Sequence, residues 1–254
     1  MNDERSEAAP TLSGCCIVCS QPMIAKCGTQ RVWHWAHHGN WNCDPWREPE
    51  TLWHRSWKDQ FPPEWQEIIR HDANGEKRVA DVMTRQGQVI EFQHSHLPAQ
   101  ERTAREAFYR NMIWIVDGMR LKNDRKRFLA GNLFSVPLAK NLFITRSPER
   151  CLPAVWLNCT KPVLFDFEGF DVPDGSPREM QGKLWCLLPG RIDGYAVLAA
   201  VSRSWFVDAA KVREKTIPSD AIRWFVQRGL TARRWNYARP PHSGQPRGRR
   251  RAKY

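Results

Sequence analysis

The chain is predicted to be a mixed α/β protein of the α+β kind, and three patterns carry that expectation. Polar and apolar residues alternate with period two between residues 65 and 93, a continuous apolar run fills 112–116, and stretches of helical periodicity precede and separate them. The first helix begins near Glu48 or Glu50 and stops before Pro62, because Leu52, Trp53, Trp57 and Phe61 recur at helical spacing. Residues 65–71 alternate as a strand, Asp72-Ala73-Asn74-Gly75 turns the chain, and 79–83 returns as the antiparallel partner. A second turn at 85–88 leads into a third strand over 89–93. A helix over about 98–110 then delivers the chain to the apolar strand at 112–116, which ends at Asp117. The order is helix, three strands, helix, strand.

Beyond residue 120 the pattern loosens. A charged helix starts at 121–127, short strands are expected at 142–144, 155–157, 163–167, 184–188 and 195–201, and 221–228 reads as a helix. That composition predicts a mostly β appendage, with Cys151, Cys159 and Cys186 as packing residues inside it. Five segments result: a disordered tail at 1–14, a cysteine-rich module at 15–47, a core at 48–125, an α+β region at 126–230 and a basic disordered tail at 231–254.

Charge is placed unevenly. The formal net charge is +12, from 39 Lys plus Arg against 27 Asp plus Glu, and eight basic residues after Thr231 meet no acid among them. Arg233, Arg234, Arg247, Arg249, Arg250 and Arg251 stand there beside Pro240, Pro241, Gly244, Pro246 and Gly248. Such a segment cannot bury apolar surface, so a mobile arm with a polyanionic partner is expected. Arginine matches phosphate bidentately and the segment lacks an apolar helical face, which favours nucleic acid over a membrane surface. No window approaches the ~18 uninterrupted apolar residues of a membrane span. The opening MNDERSEAAPTLSG is polar and acidic where a secretory leader is basic and then apolar, so a cytoplasmic protein is expected. A glycine-rich phosphate loop and internal repeats are both missing from the sequence, which argues against an ATP-driven motor.

Five of the eight cysteines cluster at 15, 16, 19, 27 and 43, and in a reducing compartment a metal explains that grouping better than disulfides. Cys16-Ile17-Val18-Cys19 forms a C-x2-C knuckle whose gap lets backbone amides turn toward the sulfurs, and His34, His37, His38 and Cys43 follow within the span of a short zinc loop. The expected structural zinc ligands are Cys16, Cys19, His37 and Cys43, with His34, His38 and Cys27 competing for the second pair and Cys15-x3-Cys19 as the other possible knuckle. Seven of the thirteen tryptophans fall between Trp33 and Trp65. They read as wide rings docking a small metal module on its neighbour, with base stacking as the competing use.

Two acids interrupt apolar strands: Asp81 in one and Glu91 in the next, ten residues away across a tight hairpin. Period two puts Glu91 and Gln93 on one face, with Ile90 and Phe92 turned the other way into a helical layer. Two carboxylates this close repel unless a divalent cation lies between them, and Mg2+ (or Mn2+) suits such oxygen ligands. That chemistry is phosphodiester hydrolysis. Glu50, His54 and Lys58 sit four apart and are expected on one helix face.

The ordered set His34-Trp35-Ala36-His37, Cys43, Glu50-x3-His54-x3-Lys58, Arg78-Val79-Ala80-Asp81-Val82, Ile90-Glu91-Phe92-Gln93-His94-Ser95 and Ile113-Trp114-Ile115-Val116 resembles the competence protein CoiA-like family. That family resembles the PD-(D/E)xK nucleases, and the resemblance covers roughly residues 15 to 120. It implies a nuclease core of helix, three strands, helix and strand, with Asp81 as the first aspartate, Glu91 as the acid of the second motif, and Glu50 as the acid of the first helix. Gln93 stands where the wider superfamily has lysine, so a cation there must come from elsewhere, with Lys58 or His54 as sources; the CoiA-like branch shares the glutamine. A magnesium-dependent deoxyribonuclease acting in DNA uptake, processing or recombination is the implied function. A zinc-stabilised nucleic-acid-binding protein that cuts nothing is the alternative, and an interaction protein within a larger complex is a third.

Overall fold

The computed structural model describes residues 6–29, 32–38, 46, 50–72, 75–137, 139–169 and 180–238. Three short strands open the chain: β1 (Ser13–Cys15), β2 (Pro22–Lys26) and β3 (His34–His37) form an antiparallel sheet in the order β1-β2-β3. Residues 6–14, expected as tail, are placed: the Trp35 indole donates to the Ser6 carbonyl at 2.8 Å and Ala8 is buried.

Next come α1 (Leu52–Lys58), β4 (Gln66–His71), β5 (Lys77–Met83), β6 (Val89–Gln93), α2 (Ala99–Tyr109) and β7 (Met112–Asp117), which is the expected order of helix, three strands, helix and strand. The first helix starts later than expected. Thr51 holds an extended conformation and its hydroxyl accepts the His54 N–H at 3.2 Å, so Glu50 lies before the cap and not on the helix face.

The remainder is α3 (Lys122–Leu129), β8 (Phe134–Val136), β9 (Ala139–Thr145), β10 (Val163–Asp166), β11 (Lys183–Leu187), β12 (Ala196–Ser202), α4 (Arg203–Val212) and α5 (Ser219–Ala238). These strands extend the core sheet and do not build a separate layer. One nine-stranded sheet runs β4-β5-β6-β7-β10-β11-β12-β9-β8, because β10 pairs in parallel with β7 and carries the hydrogen-bonding edge onward. The strand expected at 155–157 is instead a 3-10 turn, Ala154–Trp156, started by Pro153; it sets Trp156 against Trp114 at 5.3 Å. Helix α4 was not expected at all. The last helix runs on to residue 238, so the backbone at 231–238 is helical where a disordered arm was expected.

Strands β6, β7 and β10 run parallel at the sheet's centre and are buried on both faces, which requires helices on each side. Trp57, Phe206 and Val226 from α1, α4 and α5 pack with Ile90, Phe92, Ile113 and Leu164 on one face. On the other, Tyr109 and Phe128 from α2 and α3 pack with Val89, Met112, Trp114 and Phe165. Among the described residues, no helix is long and apolar enough to cross a membrane.

Candidate functional site

Asp81 and Glu91 face each other where two strands part. The β5–β6 ladder pairs Met83 with Val89 and Val82 with Ile90, and the next pair in that register is Asp81 with Glu91. There side chains replace backbone partners: the Phe92 N–H donates to Asp81 Oδ2 at 2.9 Å, and the Asp81 N–H donates to Glu91 Oε1 at 3.3 Å. Residues two apart on a regular strand share a face, yet Ala80 packs in one apolar cluster and Val82 in the other. The strand therefore twists through Asp81. Across from it, Glu67 lies between the paired Gln66 and Ile68 and has φ +50°, a left-handed conformation that marks the same irregularity.

Each acid has a cation, and the two cations come from opposite layers. From α1, His54 Nε2 stands 3.1 Å from Asp81 Oδ1. From α2, Arg105 Nη1 stands 3.2 Å from Glu91 Oε2, with both side chains about 95% buried. Burial alone would raise the Asp81 carboxyl, but the charge of His54, that of Lys58 and the Phe92 N–H together hold it below its ordinary range. Burial, then the neighbouring Asp81 charge, push Glu91 well above the carboxylate range in spite of Arg105. His54 is raised: burial works against its charged form, and Asp81 outweighs it. One acid is thus ionised and the other resists ionisation.

The remaining predicted residues fall close by with different partners. Lys58 Nζ donates to Glu50 Oε1 and to Glu67 Oε1, both at 2.8 Å, and Arg55 closes on Glu50 Oε2 at 2.8 Å. Glu50, although off the helix, is thereby bound to its last turn. Burial disfavours the Lys58 charge, but Glu67, Glu50 and Asp81 hold its pKa above the ordinary lysine range. Gln93 shares the Glu91 face, is buried, and donates to Ser95 O at 3.3 Å. Arg105, Glu67 and Glu101 were missed from sequence. Only the Glu101–Arg105 i,i+4 spacing signalled any of them, and that pair closes at 2.6 Å.

The small sheet gathers a second group. Cys16 Sγ, Cys19 Sγ and a His37 ring nitrogen lie within 4.8 Å of one another, the donor set that zinc takes. Among the described residues, Glu50, Asp81 and Glu91 form no group that compact. Cys19 Sγ is 3.2 Å from His37 Nε2, and the Val18 N–H points at Cys16 Sγ at 3.4 Å, as a C-x2-C knuckle requires. Cys43 lies outside the described residues, as do Arg247, Arg249, Arg250 and Arg251; Arg233 and Arg234 lie on the helical backbone of α5. Of the competitors, His34 bonds the Val32 carbonyl through Nδ1 at 2.8 Å. The tryptophan expectation is met at Trp46, which packs on Phe108 and Tyr109 of α2 and lies under the Arg78 guanidinium.

Comparison with known proteins matches a family model to each of the two parts of the chain that hold these centres. The family described as competence protein CoiA, N-terminal domain, matches residues 11–45, which contain the Cys16, Cys19 and His37 group. The family described as competence protein CoiA, nuclease-like domain, matches residues 72–162, which contain Asp81, Glu91 and Gln93. No curated protein and no solved structure matches the chain. Both parts of the competence protein CoiA family are thus matched, in the order in which they stand, over just under half of the chain.

Proposed function

We propose that the chain is a divalent-metal-dependent nuclease that hydrolyses phosphodiester bonds in DNA, built on a PD-(D/E)xK-like core from α1 to β7. The observation that carries this reading is the fork at Asp81 and Glu91. The backbone ladder opens there, and two carboxylates from adjacent strands meet, their oxygens held by the Phe92 and Asp81 N–H groups, by His54 and by Arg105. Those oxygens fit Mg2+ or Mn2+, which prefer hard oxygen ligands and keep several waters. When bound, such an ion supplies a polarised phosphate and a more acidic attacking water.

The chain's own residues do the rest. Asp81, kept ionised by His54, and Glu91 would hold the ion, and the Gln93 amide would orient a water. Lys58, tied between Glu50 and Glu67, contributes positive potential from α1 without being the lysine of the motif. Arg105 keeps Glu91 in place at the position where it would hold such an ion. Cys16, Cys19 and His37, with Cys43 as the fourth ligand, hold a structural zinc. Arg233, Arg234, Arg247, Arg249, Arg250 and Arg251 bind the DNA backbone. A role in DNA uptake, processing or recombination accords with the family.

The test is DNA cleavage by the purified chain in Mg2+ or Mn2+. Asp81→Ala and Glu91→Ala are expected to lose about a hundredfold or more of the rate while still binding DNA. A wild-type chain that binds DNA in a salt-dependent way and never cuts it overturns the reading. One observation favours that second outcome, a zinc-stabilised DNA-binding protein: His54 and Arg105 already neutralise both acids from within the fold.

A further inference from the structure

We propose that the β11–β12 hairpin and the flank of α5 beside it form a binding surface for single-stranded DNA, separate from the Asp81 and Glu91 fork; the inference rests on DNA as the substrate and not on its cleavage. Arg191, in the hairpin, donates to the Arg146 carbonyl at 3.3 Å and to the Gly194 carbonyl at 3.2 Å. Arg223, in α5, donates to the Pro189 carbonyl at 2.7 Å and to the Arg191 carbonyl at 3.3 Å. The Arg146 guanidinium lies over the half-buried Tyr195 ring at 4.6 Å, and that of Arg228 over the Trp224 ring at 4.7 Å. With about 100° between successive residues of a helix, the order around α5 is Arg223, Gln227, Trp224, Arg228. The flank that begins on the hairpin therefore ends in solvent, where Trp224 is 61% exposed.

Charge and ring chemistry together select the occupant. Glu149, Asp193 and Asp220 are the acids of the same segments, yet among the described residues none of Arg146, Arg191, Arg223 and Arg228 forms an ion pair with a carboxylate; that is left to other arginines. Cations gathered without counter-charge build a positive potential that an anion relieves. The carbonyl bonds fix Arg191 and Arg223 while using only some of their five N–H donors, and the rest match the oxygens of a phosphate. An exposed indole adds a face for a base, and only an unpaired strand has base faces to offer. Glu91, Trp114, Val163, Leu187 and Leu198 are paired in one row across the sheet, so β12 stands four strand spacings, about 19 Å, from the fork. The competing role is a clip in which Arg223 merely ties the hairpin to α5.

Strand preference separates the two roles. In fluorescence anisotropy with the full chain and no added divalent metal, Trp224→Ala is expected to weaken binding of an oligothymidylate about tenfold and of a duplex of equal length less than about twofold, with Trp224→Phe retaining most of the affinity. Arg146→Gln and Arg228→Gln are each expected to flatten the log–log salt dependence on the single strand by about 0.7. Trp224 and Arg228 are exposed, so thermal unfolding of these variants is expected to follow wild type. Independently of affinity, irradiation of wild type with an oligonucleotide carrying 5-iododeoxyuridine is expected to crosslink Trp224 or Tyr195. Equal losses on single strand and duplex, no loss on the single strand, or crosslinks found only elsewhere overturns the proposal while leaving the nuclease reading intact. A wild-type chain with no affinity for either DNA removes both.

Discussion

Glu91 and Asp81 carry the same chemical group at the same fork, and their surroundings drive them apart. Glu91 is buried beside a second carboxylate and its pKa is raised well above the ordinary range. In the folded chain it therefore binds a proton that the unfolded chain has already released. The sign follows: stability falls as pH rises above about 4.3, where an unperturbed glutamate ionises, and continues to fall until the folded value is passed. Glu91→Gln removes that penalty. Without added divalent metal, wild type is expected to lose stability against this variant by up to about 1.4 kcal/mol per pH unit across that window, and not below it. Urea titrations between pH 4 and 8 check this, and parallel curves for the two proteins would show that Glu91 ionises freely. The two acids themselves were legible in sequence because each interrupts an apolar strand. Arg105 was not, because α2 buries Arg102, Arg105 and Glu106, so its inward face is marked by charge where periodicity arguments look for apolar residues.

The element that brings His54 to Asp81 is only seven residues long, too short to hold itself as a helix. Its position comes from Asp166 at the end of β10. This side chain is wholly buried; its Oδ2 accepts the indole N–H groups of Trp53 at 3.1 Å and Trp57 at 3.0 Å, and Oδ1 takes Arg203 of α4 at 2.7 Å. Removing the carboxylate takes an ionic partner from a mostly buried guanidinium and an acceptor from two indole donors. Asp166→Ala is expected to cost about 3–5 kcal/mol in chemical denaturation, above Trp57→Phe, which keeps a smaller aromatic ring and loses the pyrrole part with its one hydrogen bond. Similar costs for the two would mean that ring packing alone seats α1. Sequence reading located α1 but not its anchor, since 109 residues separate Trp57 from Asp166. The hairpins from β4 to β6 were legible because period-two alternation and turn residues are local signals. Helix α4 was hidden for a local reason too: Ser202 ends β12 and caps the helix by accepting the Trp205 N–H, with no turn residues between. The continuation of the sheet through β10 was beyond reach because strand order depends on tertiary pairing.

At the scale of the molecule, two centres sit on two sheets and are expected to fail separately. The Cys16, Cys19 and His37 group joins a knuckle to β3, so losing a ligand should release residues 13–37 without disturbing the parallel strands. Cys19→Ser is expected to lower bound zinc from about one equivalent and to speed amide exchange across β1–β3, with β6 and β7 still protected. Uniform loss of protection would make the zinc module part of the main cooperative unit. Charge divides the molecule differently. Six of the twelve net positive charges belong to Arg239, Arg247, Arg249, Arg250, Arg251 and Lys253, all beyond the last turn of α5. Each phosphate contact by such a residue steepens the salt dependence of DNA affinity by about 0.9 in log–log slope. Deleting residues 239–254 is therefore expected to flatten that slope by up to about 5. Cleavage at saturating DNA is expected to stay, because Asp81, Glu91 and their partners lie far back in the chain. Fluorescence anisotropy over a salt series measures the first quantity and a gel assay the second. An unchanged slope would move the DNA surface onto the folded body, where Arg228 stacks on the exposed Trp224 at 4.7 Å.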